Sequence, residues 1–416
     1  MNDHSPKPHI CGEKIWLIGI VCVHIILALV YWRYTPYGAP PDEGPHGGYI
    51  GRIVEQHRLP VFDPTDRANY EAHQPPLYYV LGVPFYLLGR MPDPAEMVRL
   101  LSLILGALSI LVIYRAVRTA FPDEPGLGIA AAGFTALLPT HVMLSSSVSN
   151  DILVELVFGL GLLLMTGMAL RGVTLTRSLM LGVVLGLGLL TKTTCLILFP
   201  VALLAYLISA RRATGTALVH FSIALAMSLI IGGWWLLRNN HLYGDPLAAS
   251  QFAQAFAHTT KPEYWLSRGF TPFSYVVLVI VWTFCGFWGV FGHMKVFMPA
   301  WSYVGLAVVS VVVKIGALGA ILRRNDQRRG ILVLYNVVLL LVVVAFIGFN
   351  VKYFQAQGRY LYPAILPISA YWALGIRRLL PERIWEWTPF IAIAVPFLTQ
   401  IIALATCIIP RMPGYQ

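Results

Sequence analysis

Ile15-Trp16-Leu17-Ile18-Gly19-Ile20-Val21-Cys22-Val23-His24-Ile25-Ile26-Leu27-Ala28-Leu29-Val30-Tyr31-Trp32 carries no acidic residue, lysine or arginine. As a helix this run reaches about 27 Å at 1.5 Å per residue, close to the thickness of a bilayer's hydrocarbon core. Apolar runs of roughly 17–22 residues, the length needed to cross as a helix, recur along the rest of the chain. A transmembrane barrel would show alternating segments of about 10 residues instead, and none is seen. The composition agrees: 57% hydrophobic and 12% charged residues in 416 are extreme for a soluble domain and ordinary for a membrane protein. The fold expected is all-α and polytopic.

Residues 15–32 are too long for the apolar core of a cleaved signal, and Tyr34-Thr35-Pro36-Tyr37 offers no small-x-small cleavage pattern. They read as a retained first span. The five cysteines, Cys11, Cys22, Cys195, Cys285 and Cys407, are scattered without metal spacing and read as small core residues.

Charge gives the orientation. The net charge is +11, yet between Tyr34 and Met97 eight carboxylates face four arginines. The remainder is strongly basic, and its arginines gather in short loops: Arg115/Arg118, Arg171/Arg177, Arg211/Arg212, Arg323-Arg324 with Arg328-Arg329, and Arg377-Arg378 with Arg383. Short basic loops between spans follow the positive-inside rule and call for no nucleic acid. With these loops, Lys7 and Lys14 on the cytoplasmic side, spans fall near 15–32, 98–118, 127–143, 152–170, 178–192, 194–210, 218–237, 301–321, 331–349, 360–376 and 388–409, starting from an inside N-terminus.

Two further apolar segments fit poorly as crossings. Residues 77–89 give only about 20 Å of helix, too short to span. Counting residues 273–291 alone would invert the four-arginine loop. Both are expected as re-entrant or interfacial helices on the outer side, for a total of about 11–13 transmembrane or re-entrant helices. The outer polar segments then include 34–97, a first external loop with interfacial helices, and a second external region over 238–300. No internal repeat appears, so residues 1–416 read as one membrane domain of a cell (inner or plasma) membrane.

The acid pair Asp42-Glu43, in Pro40-Pro41-Asp42-Glu43-Gly44-Pro45-His46, could supply a general base at the membrane surface; its plain alternative is a solvated turn. Gly47 to Arg58 has helical apolar spacing, reads as an interfacial helix, and would hold Asp42 near the headgroup plane. In Tyr70-Glu71-Ala72-His73-Gln74-Pro75-Pro76-Leu77-Tyr78-Tyr79 the proline pair fixes an extended entry, presenting His73 and Gln74 as donors toward an anion. Ser149-Asn150-Asp151 is a helix start, where Asn or Asp commonly caps. Asp151 is also a second acid on the outer face, with Glu155 one turn deeper. Lys192, Arg238 and Arg359 are basic residues at outer span ends, against the orientation bias. Snorkelling explains any one of them, whereas together, facing an acid-rich loop, they suggest a lipid-phosphate site.

In chain order, Asp42-Glu43, His73-Gln74-Pro75-Pro76-Leu77-Tyr78-Tyr79, Asn150-Asp151, Trp234-Trp235-Leu236-Leu237-Arg238-Asn239 with Tyr243-Gly244-Asp245-Pro246, and Gln357-Gly358-Arg359-Tyr360-Leu361-Tyr362-Pro363 resemble the GT-C superfamily of integral-membrane glycosyltransferases. Within it they look most like the protein O-mannosyltransferase and glycosyltransferase family 39 group. The resemblance spans residues from about 15 to 375. It implies a polyprenyl- or dolichyl-phosphate sugar donor with its head group on the external face, transfer to an acceptor hydroxyl with inversion, and Asp42, Glu43 and Asp151 as catalytic candidates. Donor and phosphate contacts would come from His46, His73, Gln74, Lys192, Arg238, Arg359 and Tyr360. Many members carry a basic residue directly before the proline pair, where this chain has His73-Gln74. No cofactor is required, although Asp42 and Asp151 could hold a divalent metal. The competing readings are a transporter or flippase of a lipid-linked sugar, which calls for midplane charges and paired repeats, and a non-catalytic assembly protein on a GT-C-like scaffold.

Overall fold

The computed structural model describes residues 12–124, 126–209, 213–322 and 328–415. Lys7, Cys11, Arg211, Arg212, Arg323 and Arg324, used above, lie outside the described residues. In chain order the main helices are α1 (Glu13–Tyr34), α2 (Glu43–Gln56), α3 (Leu77–Leu88), α4 (Arg99–Ala120), α5 (Leu127–Ala136), α6 (Pro139–Ser145), α7 (Asp151–Arg171), α8 (Leu175–Leu189), α9 (Leu198–Ser209) and α10 (Thr214–Tyr243). They continue with α11 (Ala249–Ala255), α12 (Pro262–Leu266), α13 (Pro272–Trp288), α14 (Ala300–Leu322), α15 (Arg329–Lys352), α16 (Ile365–Leu379) and α17 (Thr388–Ala403). Among the described residues the strands are two residue pairs, Val290–Phe291 and Val296–Phe297, in an antiparallel hairpin.

Each expected span has a helix, but among the described residues seven helices are long and apolar enough to cross a membrane. Helices α8, α9 and α16, on the expected spans 178–192, 194–210 and 360–376, are only 15, 12 and 15 residues long. The expected span at 127–143 is instead a broken one, with α5 and α6 meeting at 67°. The cause is local: Pro139 opens α6 and holds Leu138 extended (ψ 123°), so the first helix ends before it. Helix α3 is 12 residues long, about 18 Å and too short to span. Helix α13 is tied to one end of the bundle at both of its own ends. Tyr275 donates to the Asn350 carbonyl (2.8 Å), and Tyr362 donates to the Phe287 carbonyl (3.0 Å).

The core is centred on α7, the most buried of the crossing helices, which packs against α4, α8 and α9. Close approach there depends on small residues. A Cβ on Gly182 or Gly232 would come within 2.6 Å of a carbonyl on the facing helix, which is how α8 and α10 lie backbone to backbone.

The two ends of the bundle differ chemically. At one end Arg118 pairs with Glu13 (3.5 Å), Arg328 with Asp123 (2.5 Å) and Glu124 (3.2 Å), and Arg377 with Glu124 (3.5 Å). These are the arginine-rich loops of the sequence. The opposite end carries the 34–76 loop, the start of α7, the end of α8 and the Gln357–Pro363 turn, and every acid–base contact described next lies there.

Candidate active site

Helix α2 starts between the two acids of the Asp42-Glu43 pair. Successive helical positions diverge by about 100°, so the two carboxylates leave in different directions. Asp42, in a left-handed conformation (φ 63°) at the helix start, faces a cavity of about 200 Å³. Asp is one of the few side chains that tolerates this backbone region.

Glu43 points inward and is fully buried. Arg99 grips it twice, Nε to Oε1 at 2.8 Å and Nη2 to Oε2 at 2.7 Å, and it also accepts from the Gly38 (2.8 Å) and Val148 (2.9 Å) amides. The remaining Arg99 donors hold the Trp32, Thr35 and Pro36 carbonyls. Glu43 is therefore a staple joining the end of α1, the first loop and the turn before α7. It does not face the cavity, contrary to its expected role as a second catalytic acid. Glu43→Gln, which keeps the shape but leaves the Arg99 charge buried without its partner, is expected to cost about 3–5 kcal/mol of stability. Thermal unfolding in detergent would show it as a lowered midpoint.

The cavity's polar wall is built on Arg359. Its Nη2 donates to Asp42 Oδ2, its Nη1 to Asp151 Oδ2 (3.3 Å) and its Nε to Gln357 Oε1 (2.7 Å). Asp42 Oδ1 accepts from the Tyr70 hydroxyl (2.6 Å), and Lys192 Nζ donates to Asp151 Oδ1 (2.6 Å) and Asn150 Oδ1 (3.2 Å). Residues more than 300 positions apart in the chain thus share one ion network: Asp42, Arg359, Asp151 and Lys192, two acids against two cations. Gly358 sets the position of Arg359, because a Cβ there would lie 1.9 Å from the Phe287 nitrogen. Only glycine lets this turn pack on the end of α13.

The rest of the lining is apolar. Phe252 and Phe256, Val342, Ala345, Phe346 and Phe349 of α15, and Ile197, Val154 and Pro363 supply it. The cavity is amphiphilic, combining fixed charges with aliphatic and aromatic surface.

Titration follows from this layout. Burial works to raise the Asp42 carboxyl, but the charge of Arg359, with His46 and the hydrogen bonds, holds it well below the usual carboxylate range. His46 is lowered to about 4, chiefly by burial, with Asp42 opposing. Its Nδ1 meets the Tyr79 hydroxyl at 2.9 Å. Glu71 also lines the cavity; burial first, then repulsion from Asp42, raises its carboxyl to about 8, against the pull of Lys192 and Arg359. An unfolded chain ionises Glu71 near the ordinary 4.5, whereas the folded chain does so near 8. The stability this group contributes is complete below pH 4.5 and is lost as pH climbs to 8. A Glu71→Gln chain should therefore lose less stability than wild type across that window, read as the difference between their unfolding midpoints at each pH.

Gln74 and Tyr360 line the cavity, Tyr360 donating to Gln355 Oε1 (3.2 Å) beneath the Arg359 guanidinium. Two expected contacts do not reach it. Arg238 donates to the Pro60 carbonyl (2.9 Å) and stacks 4.7 Å over Trp235, so it pins the first loop to α10. His73 bonds the Tyr70 carbonyl (2.6 Å) and lines a smaller neighbouring cavity with Asn239 and Trp235. Glu155 lies deeper than Asp151 and pairs with His141 at 2.9 Å. For a divalent metal the donor set is poorly suited. Among the described residues no three His, Cys, Asp or Glu side chains gather as a metal site, and the facing oxygens of Asp42 and Asp151 are bridged by Arg359. Tyr70, Glu71 and the aromatic wall were not singled out from the sequence as site residues.

A solved structure of ArnT from Cupriavidus metallidurans, bound to undecaprenyl phosphate, superposes over 90% of this chain with a TM-score of 0.58 and 15% identity. The chain is a GT-C-fold membrane protein. The same fold appears in the oligosaccharyltransferase AglB from Archaeoglobus fulgidus, in complex with an inhibitory peptide and a dolichol-phosphate (TM-score 0.58, 13% identity, 95% of this chain), and in the arabinofuranosyltransferase AftD from Mycobacteria (0.57, 16%, 97%). This GT-C-fold chain spans 62%, 56% and 28% of the lengths of those three proteins. The family model described as dolichyl-phosphate-mannose-protein mannosyltransferase matches residues 73–235. No curated protein matches the sequence.

Proposed function

We propose that this chain is a glycosyltransferase that moves a sugar from a polyprenyl-phosphate donor to an acceptor hydroxyl, with inversion, on the external face of the membrane. One observation carries the reading: a single cavity sets Arg359 and Lys192 beside two carboxylates and lines the remainder with apolar side chains. A lipid phosphate has that same division. Two GT-C-fold neighbours, ArnT and AglB, were solved with polyprenyl or dolichol phosphates, which supports this donor class.

The proposed chemistry uses the sharing of Arg359. Without donor its guanidinium neutralises Asp42 and Asp151 together. A donor phosphodiester offers one charge spread over two oxygens that a guanidinium can grip in parallel, and as the bond to the sugar breaks its growing charge draws Arg359 and Lys192 toward itself. Asp42 then loses the cation that kept its proton affinity low, and becomes a better base toward the acceptor hydroxyl. The hydroxyl oxygen bonds to the anomeric carbon as the bond to the phosphate oxygen breaks, and the leaving phosphate's charge falls on Arg359 and Lys192. Tyr70 keeps Asp42 aimed through the exchange. The lipid tail would lie along Phe346 and Phe349, fixing the anomeric carbon in place.

The test is a transfer assay with polyprenyl-phosphate sugars and the full chain in membrane vesicles. Lipid-dependent sugar transfer supports the reading; movement of the lipid-linked sugar across the bilayer without transfer supports the flippase instead. Orientation is tested by thiol labelling of single cysteines at Asp93 and Arg328 with an impermeant reagent. Asp93→Cys should label from outside and Arg328→Cys only after permeabilisation. Labelling of both from one side overturns the orientation.

A further inference from the structure

Glu71 is the acid that the ion network leaves over. It is 4% exposed and lines the cavity, and its Oε2 is buried without a hydrogen-bond partner. Both cavity cations are engaged elsewhere: Arg359 with Asp42 and Asp151, Lys192 with Asp151 and Asn150. Among the described residues no lysine or arginine pairs with Glu71. Its one ionisable contact is His46 Nδ1, at 4.0 Å, and that nitrogen is taken by Tyr79 at 2.9 Å. An ionised Glu71 would be a third negative charge beside two cations already matched by two acids. Burial of an unpaired charge is costly, so the side chain is held as the neutral acid.

A neutral carboxylic acid differs from its neighbours in what it can bind. It offers one O–H donor and acceptor capacity beside it, which suits a hydroxyl, itself donor and acceptor. It does not repel a nearby phosphate, as a carboxylate would. Glu71, His46 and Gln74 bring the first-loop segment to the cavity lining, and the neighbouring His73 ring meets Phe252 of the apolar lining at 5.5 Å. Resting on the glycosyl-donor reading above, we propose that Glu71 is a specificity-determining residue: its buried carboxylic acid hydrogen-bonds a hydroxyl of the sugar carried by the donor lipid, while Arg359 and Lys192 hold the phosphate. A buried donor–acceptor group built for a hydroxyl discriminates strongly, because a ligand lacking that hydroxyl leaves it unpaired.

The experiment measures equilibrium binding to the full chain in lipid nanodiscs. The probes are undecaprenyl phosphate and undecaprenyl phosphate carrying mannose, glucose, galactose or arabinose. Wild type should bind at least one of the sugar-bearing lipids more tightly than the others, a comparison at equal phosphodiester charge. Glu71→Ala should lower that affinity by about 10-fold and leave the bare lipid unchanged. Glu71→Gln, whose amide still donates and accepts, should stay within about 3-fold of wild type. The proposal is overturned if Glu71→Ala keeps the sugar preference, if it weakens both kinds of lipid equally, or if Glu71→Gln is as damaging as Glu71→Ala in a chain that unfolds like wild type. A wild-type chain that binds none of the lipids overturns the glycosyl-donor reading and, with it, this one. Binding by wild type with an indifferent Glu71→Ala removes this inference alone.

Discussion

Asp42→Asn is expected to lower glycosyl transfer at saturating donor by about 10²–10⁴-fold, the usual contribution of a positioned general base. The substitution isolates the proton-accepting role. An asparagine side chain keeps the size of Asp42; its one carbonyl oxygen can accept from Arg359, while its amide NH2 donates to the Tyr70 hydroxyl where the carboxylate now accepts. What it cannot do is take a proton from the acceptor. Donor affinity should be unchanged or somewhat tighter, because Arg359 no longer has a carboxylate at Asp42 competing with the phosphate. Initial rates and donor binding measured on the same preparation separate the two effects. A rate within about 3-fold of wild type, far short of a general base's usual share, removes Asp42 as the base. A matching loss of rate and affinity would make it a binding residue instead. The Glu43→Gln chain is the control: Glu43 is adjacent in sequence but sealed against Arg99, so it should lose stability while folded molecules keep their turnover.

The contrast between Asp42 and Glu43 shows where sequence reading of this chain succeeds and fails. Span positions are legible because bilayer thickness imposes a length, and α1, α4, α7, α14 and α15 fall on the apolar runs within a few residues. The convergence of Asp42, Asp151, Lys192 and Arg359 is legible by the same logic, since alternate span ends must share a face. Direction around a helix start is not encoded in that pattern. Asp42 and Glu43 look interchangeable until α2 begins between them and turns one outward and one inward. Arg238 looks like Arg359, a cation at a span end; only the path of the first loop decides that it meets the Pro60 carbonyl. Glu71 sits in a stretch without periodicity, and its importance comes from a charge count around a cavity that no local window contains. The apolar lining likewise draws Phe252 from the short α11, Phe256 from its C-terminal cap, and Phe346 and Phe349 from α15, which are distant in the chain.

The largest expected loss falls on Arg359, because one side chain serves both the resting network and the donor. Its guanidinium is 5% exposed and spans Asp42 and Asp151. Arg359→Ala leaves two carboxylates with only Lys192 to balance them. Because the Asp42 side chain is 34% exposed and screened by solvent, the cost is nearer the roughly 1.5–3 kcal/mol of a charged hydrogen bond than that of a fully buried pair. Loss of two parallel charge-assisted bonds to a donor phosphate should weaken donor binding by about 10²–10⁴-fold, from roughly 1.5–3 kcal/mol for each bond, on top of the loss of stability. Arg359→Lys should recover little, since an ammonium is a point donor and cannot bridge two carboxylates or grip a phosphate in parallel. Two measurements keep the structural and functional losses apart. Adding Asp42→Asn to Arg359→Ala removes one stranded carboxylate, so the double variant should unfold later than Arg359→Ala alone, with a coupling of about 0.5–3 kcal/mol. Donor binding should not return with it, because the phosphate still lacks its arginine. If stability and binding recover together, Arg359 acts only by supporting Asp42, and the phosphate is held by Lys192. If neither recovers, the bridge between Asp42 and Arg359 carries no energy and the resting network is not what keeps the base quiet.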